Sequence, residues 1–392
     1  MRTPPPASGL LPAVPAPVAE EVLQDLRHRL LNYRRVPLPE SPPRARWDRG
    51  TDPEFLLELV RYWAEVYDWR AHEQRIRSWP WHLSQTRTRG GPGGTTAAVP
   101  TPVRAVHQRA ASPAATAVVL LHGWPDSVLR FEKVLPLLER HHVVVPALPG
   151  FPFAAPVPGA GMSARQMAAA VAEVMVDLRY DRYVVSAGDV GSDVAEHLAD
   201  LHPDRVAALH LSDVSQYHFL VQPPEDPSAA EQAYLAHGHD WQTREGAYMH
   251  QQRTKPHTLA VGLGDSPAGL LAWLLEKLRS WSDCGGDVEA VFPREDLLTW
   301  VTAYWVSACI GTSFTPYATG GPMPSRVRPP AVFTVFPHDL VNAPEDFARR
   351  IFDVRSWHDG GAGGHFAAWE QPQVYAAGVQ EAVHLAEATS QQ

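Results

Sequence analysis

Two cysteines, Cys284 and Cys309, stand in 392 residues. They are too few for a disulfide framework, so a reducing cytoplasm is the expected location. Positive charge is also short: 34 Lys and Arg against 43 Asp and Glu leave a formal charge of −9. A chain with no basic footprint is not expected to bind nucleic acid. No stretch offers about 18 consecutive apolar residues. The amino terminus, MRTPPPASGLLPAVPAPVAEE, is cut repeatedly by proline. It is expected to be neither signal nor membrane anchor, with its first dozen or so residues forming a mobile arm. No repeat of about 20–50 residues is present, which excludes solenoids and propellers. No His, Cys, Asp and Glu cluster has metal-ligand spacing, so neither metal nor cofactor is expected.

What is present is ordinary for a globular chain: 45% hydrophobic and 20% charged residues. The length allows a large core plus additional elements. Val22, Leu23, Leu26 and Leu30 fall at helical spacing, and Asp52-Pro53 reads as an N-cap and first helical position for a second helix. Residues 85–100 are polar and Gly-rich and read as a linker. Five short β-branched runs follow: Val118–Leu121, Val143–Val145, Val184–Ser186, Ala207–Leu211 and Val332–Val335. They read as parallel strands buried on both faces, alternating with helices, as in a doubly wound α/β sheet. Ser163-Ala-Arg-Gln166 resembles a capping box. Between about Gln216 and Pro324 the alternation stops and the text turns helical and aromatic, with Trp273, Trp281, Trp300, Tyr304 and Trp305. A lid inserted late in the sheet would read this way. The expected units are therefore 1–95, an amino-terminal extension; 96–215 and 326–392, the two parts of the core; and 216–325, the lid.

The run Tyr183-Val-Val-Ser-Ala-Gly-Asp189-Val-Gly-Ser192 reads as strand, tight turn and helix with aspartate at the apex. That is the setting of a nucleophile elbow. Serine at the apex suits acyl transfer, whereas a carboxylate suits displacement at saturated carbon through an alkyl-enzyme ester. His122-Gly-Trp-Pro125 precedes the elbow, and Asp339 and His365 follow it. Nucleophile, acid, histidine is the chain order of α/β-hydrolases, and each residue falls just beyond the carboxyl end of a strand. Asp213, at the end of another strand, is the rival for the acid. His338 and His358 read as ordinary loop histidines, His122 as a structural residue of its turn, and the lid tryptophans chiefly as packing.

The chain resembles the epoxide hydrolases of the microsomal type and their soluble bacterial relatives. The matching motifs are His122-Gly-Trp-Pro125, Gly188-Asp-Val-Gly191, Tyr248-Met-His-Gln-Gln-Arg-Thr-Lys-Pro256, Asp265-Ser-Pro-Ala-Gly-Leu270 and Gly363-Gly-His-Phe-Ala-Ala-Trp-Glu-Gln-Pro372. The resemblance covers nearly the whole chain from about residue 19. It implies an α/β-hydrolase fold: a doubly wound, mostly parallel sheet with a helical lid and an amino-terminal helical extension. It also implies a small-molecule epoxide as substrate. By the same resemblance Asp189 attacks an epoxide carbon while Tyr248, by motif, and Tyr317, by position, donate to the departing oxygen. His365, oriented by Asp339, then activates water, and the backbone N–H groups of Trp124 and Val190 hold the oxyanion. Pro125 and Phe366 are expected to line the substrate pocket.

Two positions depart from the family pattern. Val190 stands where a Trp is usual, which removes a pocket wall and leans towards a bulky apolar epoxide. Asp126 stands where a Gly is usual and is expected to face solvent. A haloalkane dehalogenase would use the same aspartate, but Val190 withholds the indole that commonly donates to halide. An esterase is disfavoured by the aspartate, and a silent ligand-binding member of the fold by the intact set of motifs. Nothing in the sequence sets an oligomeric state.

Overall fold

The computed structural model describes residues 11–42, 45–88, 99–156 and 161–389. The first ten residues, expected as a mobile arm, lie outside the described part, as do residues 89–98 of the expected linker. Three helices come first: α1 (Glu20–Leu31), α2 (Pro53–Glu65) and α3 (Trp69–Arg77). Asp52 caps α2 through the Glu54 N–H at 2.9 Å with Pro53 behind it, as the sequence predicts. Leu26 and Leu30 of α1 and Leu56, Leu59, Val60 and Trp63 of α2 are buried.

β1 (Trp81–Thr88) and β2 (Val99–Gln108) open the sheet. Residues 85–88, expected in a linker, therefore belong to a strand. β3 (Ala117–Leu121), β4 (His142–Pro146), α4 (Ala164–Asp177), β5 (Tyr183–Ala187), α5 (Val190–Leu201) and β6 (Val206–Leu211) follow. The lid contains α6 (Tyr217–Val221), α7 (Ala229–Glu245), α8 (Ala247–Thr254), α9 (Pro256–Asp265), α10 (Pro267–Ser280), α11 (Arg294–Ser307), α12 (Ile310–Ser313) and α13 (Thr315–Ala318). The chain returns to the sheet with β7 (Val327–Val335), α14 (Glu345–Ile351) and β8 (Phe352–Asp359), and ends in α15 (Ala367–Glu370) and α16 (Pro372–Thr389).

Among the described residues the eight strands form one sheet in the order β1-β2-β4-β3-β5-β6-β7-β8. β1, β2 and β4 pair antiparallel, and the rest of the sheet is parallel. All five runs read as strands form them, and every residue of β3, β4, β5 and β6 is buried. Continuous apolar text is what a strand covered on both faces requires. β1, at the edge of the sheet, carries no such text, and β2 beside it is buried from Thr101 to His107 although it includes Thr101, Arg104 and His107. Pro100 and Pro102 sit in the half of β2 that pairs only with β1, since pairing to β4 begins at Ala105. A missing N–H is tolerated there.

The capping box forms: Gln166 N–H donates to Ser163 Oγ at 3.3 Å and Ser163 N–H to Gln166 Oε1 at 2.9 Å. It starts α4, which packs on α5. The first helices also clamp the lid. Thr51 donates to the Ala272 carbonyl of α10 at 2.7 Å, and His72 meets Glu295 of α11 at 2.9 Å. The lid is thus supported from its outer side.

Candidate active site

β5 delivers the chain to Gly188 and Asp189, and α5 begins at the next residue. Asp189 has φ 59°, a backbone conformation that costs a non-glycine residue of order 1 kcal/mol and needs support from its surroundings. Support comes from Asp213, just past β6. Both Asp213 oxygens accept from the Asp189 N–H at 3.2 Å, and Oδ1 also accepts from Ser192 Oγ at 2.6 Å. A Cβ on Gly191 would overlap the Leu121 carbonyl, and one on Gly123 would overlap the Asp189 carboxylate. Glycine at these two positions lets the turn seat against β3.

Asp189 Oδ1 accepts the Trp124 N–H at 2.7 Å. Val190 is the first residue of α5, and an N–H in the first turn has no intrahelical acceptor. Of the two N–H groups expected for the oxyanion, that of Trp124 is thus already engaged by the carboxylate. Asp189 Oδ2 lies 3.3 Å from His365 Nε2, and His365 Nδ1 lies 2.7 Å from Asp339 Oδ1. Asp213, the rival acid, is spent on the elbow. The Leu340 N–H donates to Asp339 Oδ1 at 2.7 Å, and the His365 backbone is tied through its N–H to the Trp281 carbonyl at 2.8 Å.

Electrostatics follow from one imidazole set between two carboxylates. Burial disfavours the imidazolium, but the Asp339 and Asp189 carboxylates push His365 up to about 10. Burial would raise Asp339, yet the charge and hydrogen bond of His365 bring it below the usual carboxylate range. Burial and the Asp339 charge together push Asp213 up to about 7. Tyr248 and Tyr317 are held well above the usual tyrosine value by burial and then by the Asp189 charge. Both hydroxyls stay protonated and able to donate.

The tyrosines come from the lid, on α8 and α13, with ring centroids 6.1 Å apart and edge to face. Tyr248 stacks on Trp124 at 5.4 Å and 9°. Asp189, His365, Asp339, Tyr248 and Tyr317 all line one cavity of about 60 Å³. Val190 lines it as well. Pro125 and Phe366 do not, contrary to expectation. Phe366 is fully buried against Phe292 and Trp300, at 5.4 and 5.7 Å, and so backs His365 instead of facing substrate.

The expectation for Asp126 is also overturned. It is 1% exposed. Its Oδ1 accepts the Gly123 N–H at 2.8 Å, and its Oδ2 accepts from Arg130 Nη1 at 2.6 Å. Arg130 Nη2 reaches on to the His365 carbonyl at 2.7 Å. Burial would raise the Asp126 carboxyl, but Arg130 and then His122 hold it down to about 2. An added carboxylate thus braces the Trp124 turn against the His365 loop. The sequence carried a hint, since Asp126 and Arg130 are four apart, the spacing of a helical ion pair.

His122 is buried and accepts the Leu148 N–H on Nε2 at 3.1 Å, a structural role. His358 pairs with Glu381 at 2.7 Å, and His338 lies 3.4 Å from Asp283; neither contacts the carboxylate pair. Trp281 packs its ring on Tyr248 and His365, at 5.0 and 5.2 Å. Asp193, Ser215, Gln216 and Tyr217 also line the cavity and escaped the sequence reading. Asp193 alone had a signal, four residues beyond Asp189.

Residues 13–131 match the family described as epoxide hydrolase N terminus, and residues 116–263 match the alpha/beta hydrolase fold. The juvenile hormone epoxide hydrolase of Manduca sexta is 30% identical over 392 residues, covering 91% of this chain and 82% of that protein. The chain belongs to the epoxide hydrolase family. Epoxide hydrolase 1 of Sus scrofa is 26% identical over 94% of this family member and 87% of its own length. The solved structure of Aspergillus niger epoxide hydrolase superposes with a TM-score of 0.81 at 27% identity, covering 94% of each chain. Among the described residues no single helix is long and apolar enough to cross a membrane. One pair, α9 and α10, passes that test only together and is bent by 115°.

Proposed function

We propose that this epoxide hydrolase opens its substrate through a covalent Asp189 ester, with the site residues acting as follows. Asp189 Oδ2 attacks an epoxide carbon while Oδ1 stays on the Trp124 N–H. The carbon–oxygen bond of the ring breaks, and the departing oxygen takes a proton from the Tyr248 and Tyr317 pair, which is refilled from the His365 imidazolium. Esterification removes the Asp189 charge that helps keep His365 protonated, so Nε2 becomes a base at the step that needs one. Water then attacks the ester carbon and gives a proton to His365. The oxyanion forms at Oδ1, between the Trp124 and Val190 N–H groups, where each donor is typically worth about 3–4 kcal/mol. The acyl bond breaks, and the diol oxygen leaves with the remaining water proton. Asp189 and the His365 imidazolium are restored.

One observation carries the reading: the His365 ring bonds to Asp339 at 2.7 Å on one nitrogen and meets Asp189 at 3.3 Å on the other. A single turnover in water enriched in heavy oxygen tests it. Peptide mass analysis should find the label in Asp189 before it reaches product. A first-turnover diol carrying all of the label would overturn the ester.

Within the family we propose the microsomal-type branch for the chain, on its motifs. The boundaries given above for extension, core and lid are part of the same proposal. For the substrate, Val190, Val214, Leu340 and Val341 support an apolar epoxide. A cavity of about 60 Å³ favours a compact group at the reacting carbons. Any bulk would lie beyond Tyr217 and Met249, which also border an outer chamber of about 380 Å³.

A further inference from the structure

The lining of the cavity in front of Asp189 is mixed. Val190, Val214 and Val341 are apolar, as the hydrocarbon part of an epoxide requires. Asp193, Ser215 and Tyr217 are polar, and none of these three has a part in the proposed reaction. Asp193 lies in the first turn of α5, four residues beyond the nucleophile, and lines the same cavity. It is 8% exposed, its bonding neighbour is Ser215, and no cation pairs with it among the described residues. Tyr217 opens α6. Its hydroxyl is sealed from solvent and bonded to nothing among the described residues. Tyr217, Asp193 and Asp189 line the same cavity, and the charges of both carboxyls bear on the Tyr217 hydroxyl.

Packing alone gives no reason for these groups. A buried hydroxyl without a partner costs stability, and burial pushes the Asp193 carboxyl well up towards its neutral form, a polar group that is still costlier there than an apolar one. Leu and Phe would fill the same space without either penalty. Buried polar groups in native proteins are almost always satisfied, and at a cavity the occupant is what satisfies them. A ligand hydroxyl meets both needs at once, donating to the Asp193 carboxyl and accepting from Tyr217.

We infer that Asp193 and Tyr217 form a hydrogen-bonding wall that selects epoxides bearing a hydroxyl on the carbon next to the ring. The inference rests on the epoxide reading above and narrows its substrate class. It adds one polar requirement to the apolar epoxide that Val190, Val214, Leu340 and Val341 support.

Glycidol and ethyloxirane test it, being near-isosteric and differing only in hydroxyl against methyl. The wild-type enzyme should favour glycidol in kcat/KM by about tenfold or more, because an unmet polar wall rejects the methyl analogue. Asp193→Leu should cut that ratio at least about tenfold, and Tyr217→Phe should cut it several-fold. Tyr217→Phe removes a hydroxyl with no internal partner, so it serves even if Asp193→Leu fails to fold. A wild-type preference for ethyloxirane, or a ratio unmoved by Tyr217→Phe, would overturn the inference. Equilibrium binding of both epoxides to the Asp189→Asn protein reads the same preference without turnover. If the wild-type enzyme opened neither compound, the catalytic reading would fall while the binding ratio still judged the wall.

Discussion

Asp126→Asn isolates the brace between the Trp124 turn and the His365 loop. The substitution keeps size and shape but removes the charge that pairs with Arg130 at 2.6 Å, where both side chains have no exposure. Arg130 would be left as a buried cation holding only the His365 carbonyl. Breaking a buried pair from one side costs about 3–5 kcal/mol, mostly through the stranded charge. With an unfolding entropy of about 2.1 cal/mol/K per residue, a cooperative chain of this length should lose about 4–6 °C in Tm. Differential scanning calorimetry at neutral pH measures it. The double variant Asp126→Asn with Arg130→Met removes both charges and should recover at least half of the loss, since apolar replacement of a buried pair is often neutral. The single variant should also lower kcat by about tenfold or more, because the Gly123 N–H and His365 carbonyl anchor the two halves of the site. A single-variant loss below about 1 °C, or a double variant as unstable as the summed singles, would refute the reasoning.

Two further outcomes follow from the same geometry. His365→Gln should give a stoichiometric burst of ring opening and then stall with a stable adduct on Asp189, seen as a mass increase of one substrate on the intact protein; steady turnover without adduct would remove His365 as the base. Asp213→Asn tests the buried carboxyl behind the elbow. The folded Asp213 titrates at about 7, above an unfolded value of about 3.9. The wild-type fold therefore holds a proton that the unfolded chain has lost, and this residue's contribution to stability falls as pH rises from about 4 to 7. Relative to wild type, the Asn variant should gain about 2–3 kcal/mol between pH 5 and pH 8 in urea melts, whatever its fixed offset. A stability difference that ignores pH would show that Asp213 is not the titrating group.

Local chemistry made much of the site legible before any tertiary contact was known. A strand, a Gly-flanked aspartate and a helix are contiguous text, so the elbow at Asp189 could be read directly. Asp339 and His365 could be read too, because each follows a strand or a glycine pair. Their meeting at 2.7 Å needs the crossover connections between β7, β8 and α15. Along the chain the family resemblance favours Asp339 over Asp213, although both end strands of the same sheet. In space Asp213 accepts from the Asp189 N–H and the Ser192 hydroxyl, and Asp339 reaches the imidazole.

β1 and β2 stayed hidden because polar residues and proline interrupt their text, although β2 is buried from Thr101 to His107. Asp126 was misread for a related reason. A lone carboxylate reads as a surface group, and only the fold brings Arg130 and the Gly123 N–H around it. Pro125 and Phe366 adjoin catalytic positions in sequence, yet the lid closes over other side chains. From the sequence came the expected nucleophile, because strand, Gly-flanked aspartate and helix are contiguous and the other motifs follow in order. Tertiary structure alone decided the walls around it. Asp193 and Tyr217 acquire meaning only when α5 and the first turn of the lid enclose one cavity, and enclosure is a property of packed elements that no local run of residues encodes.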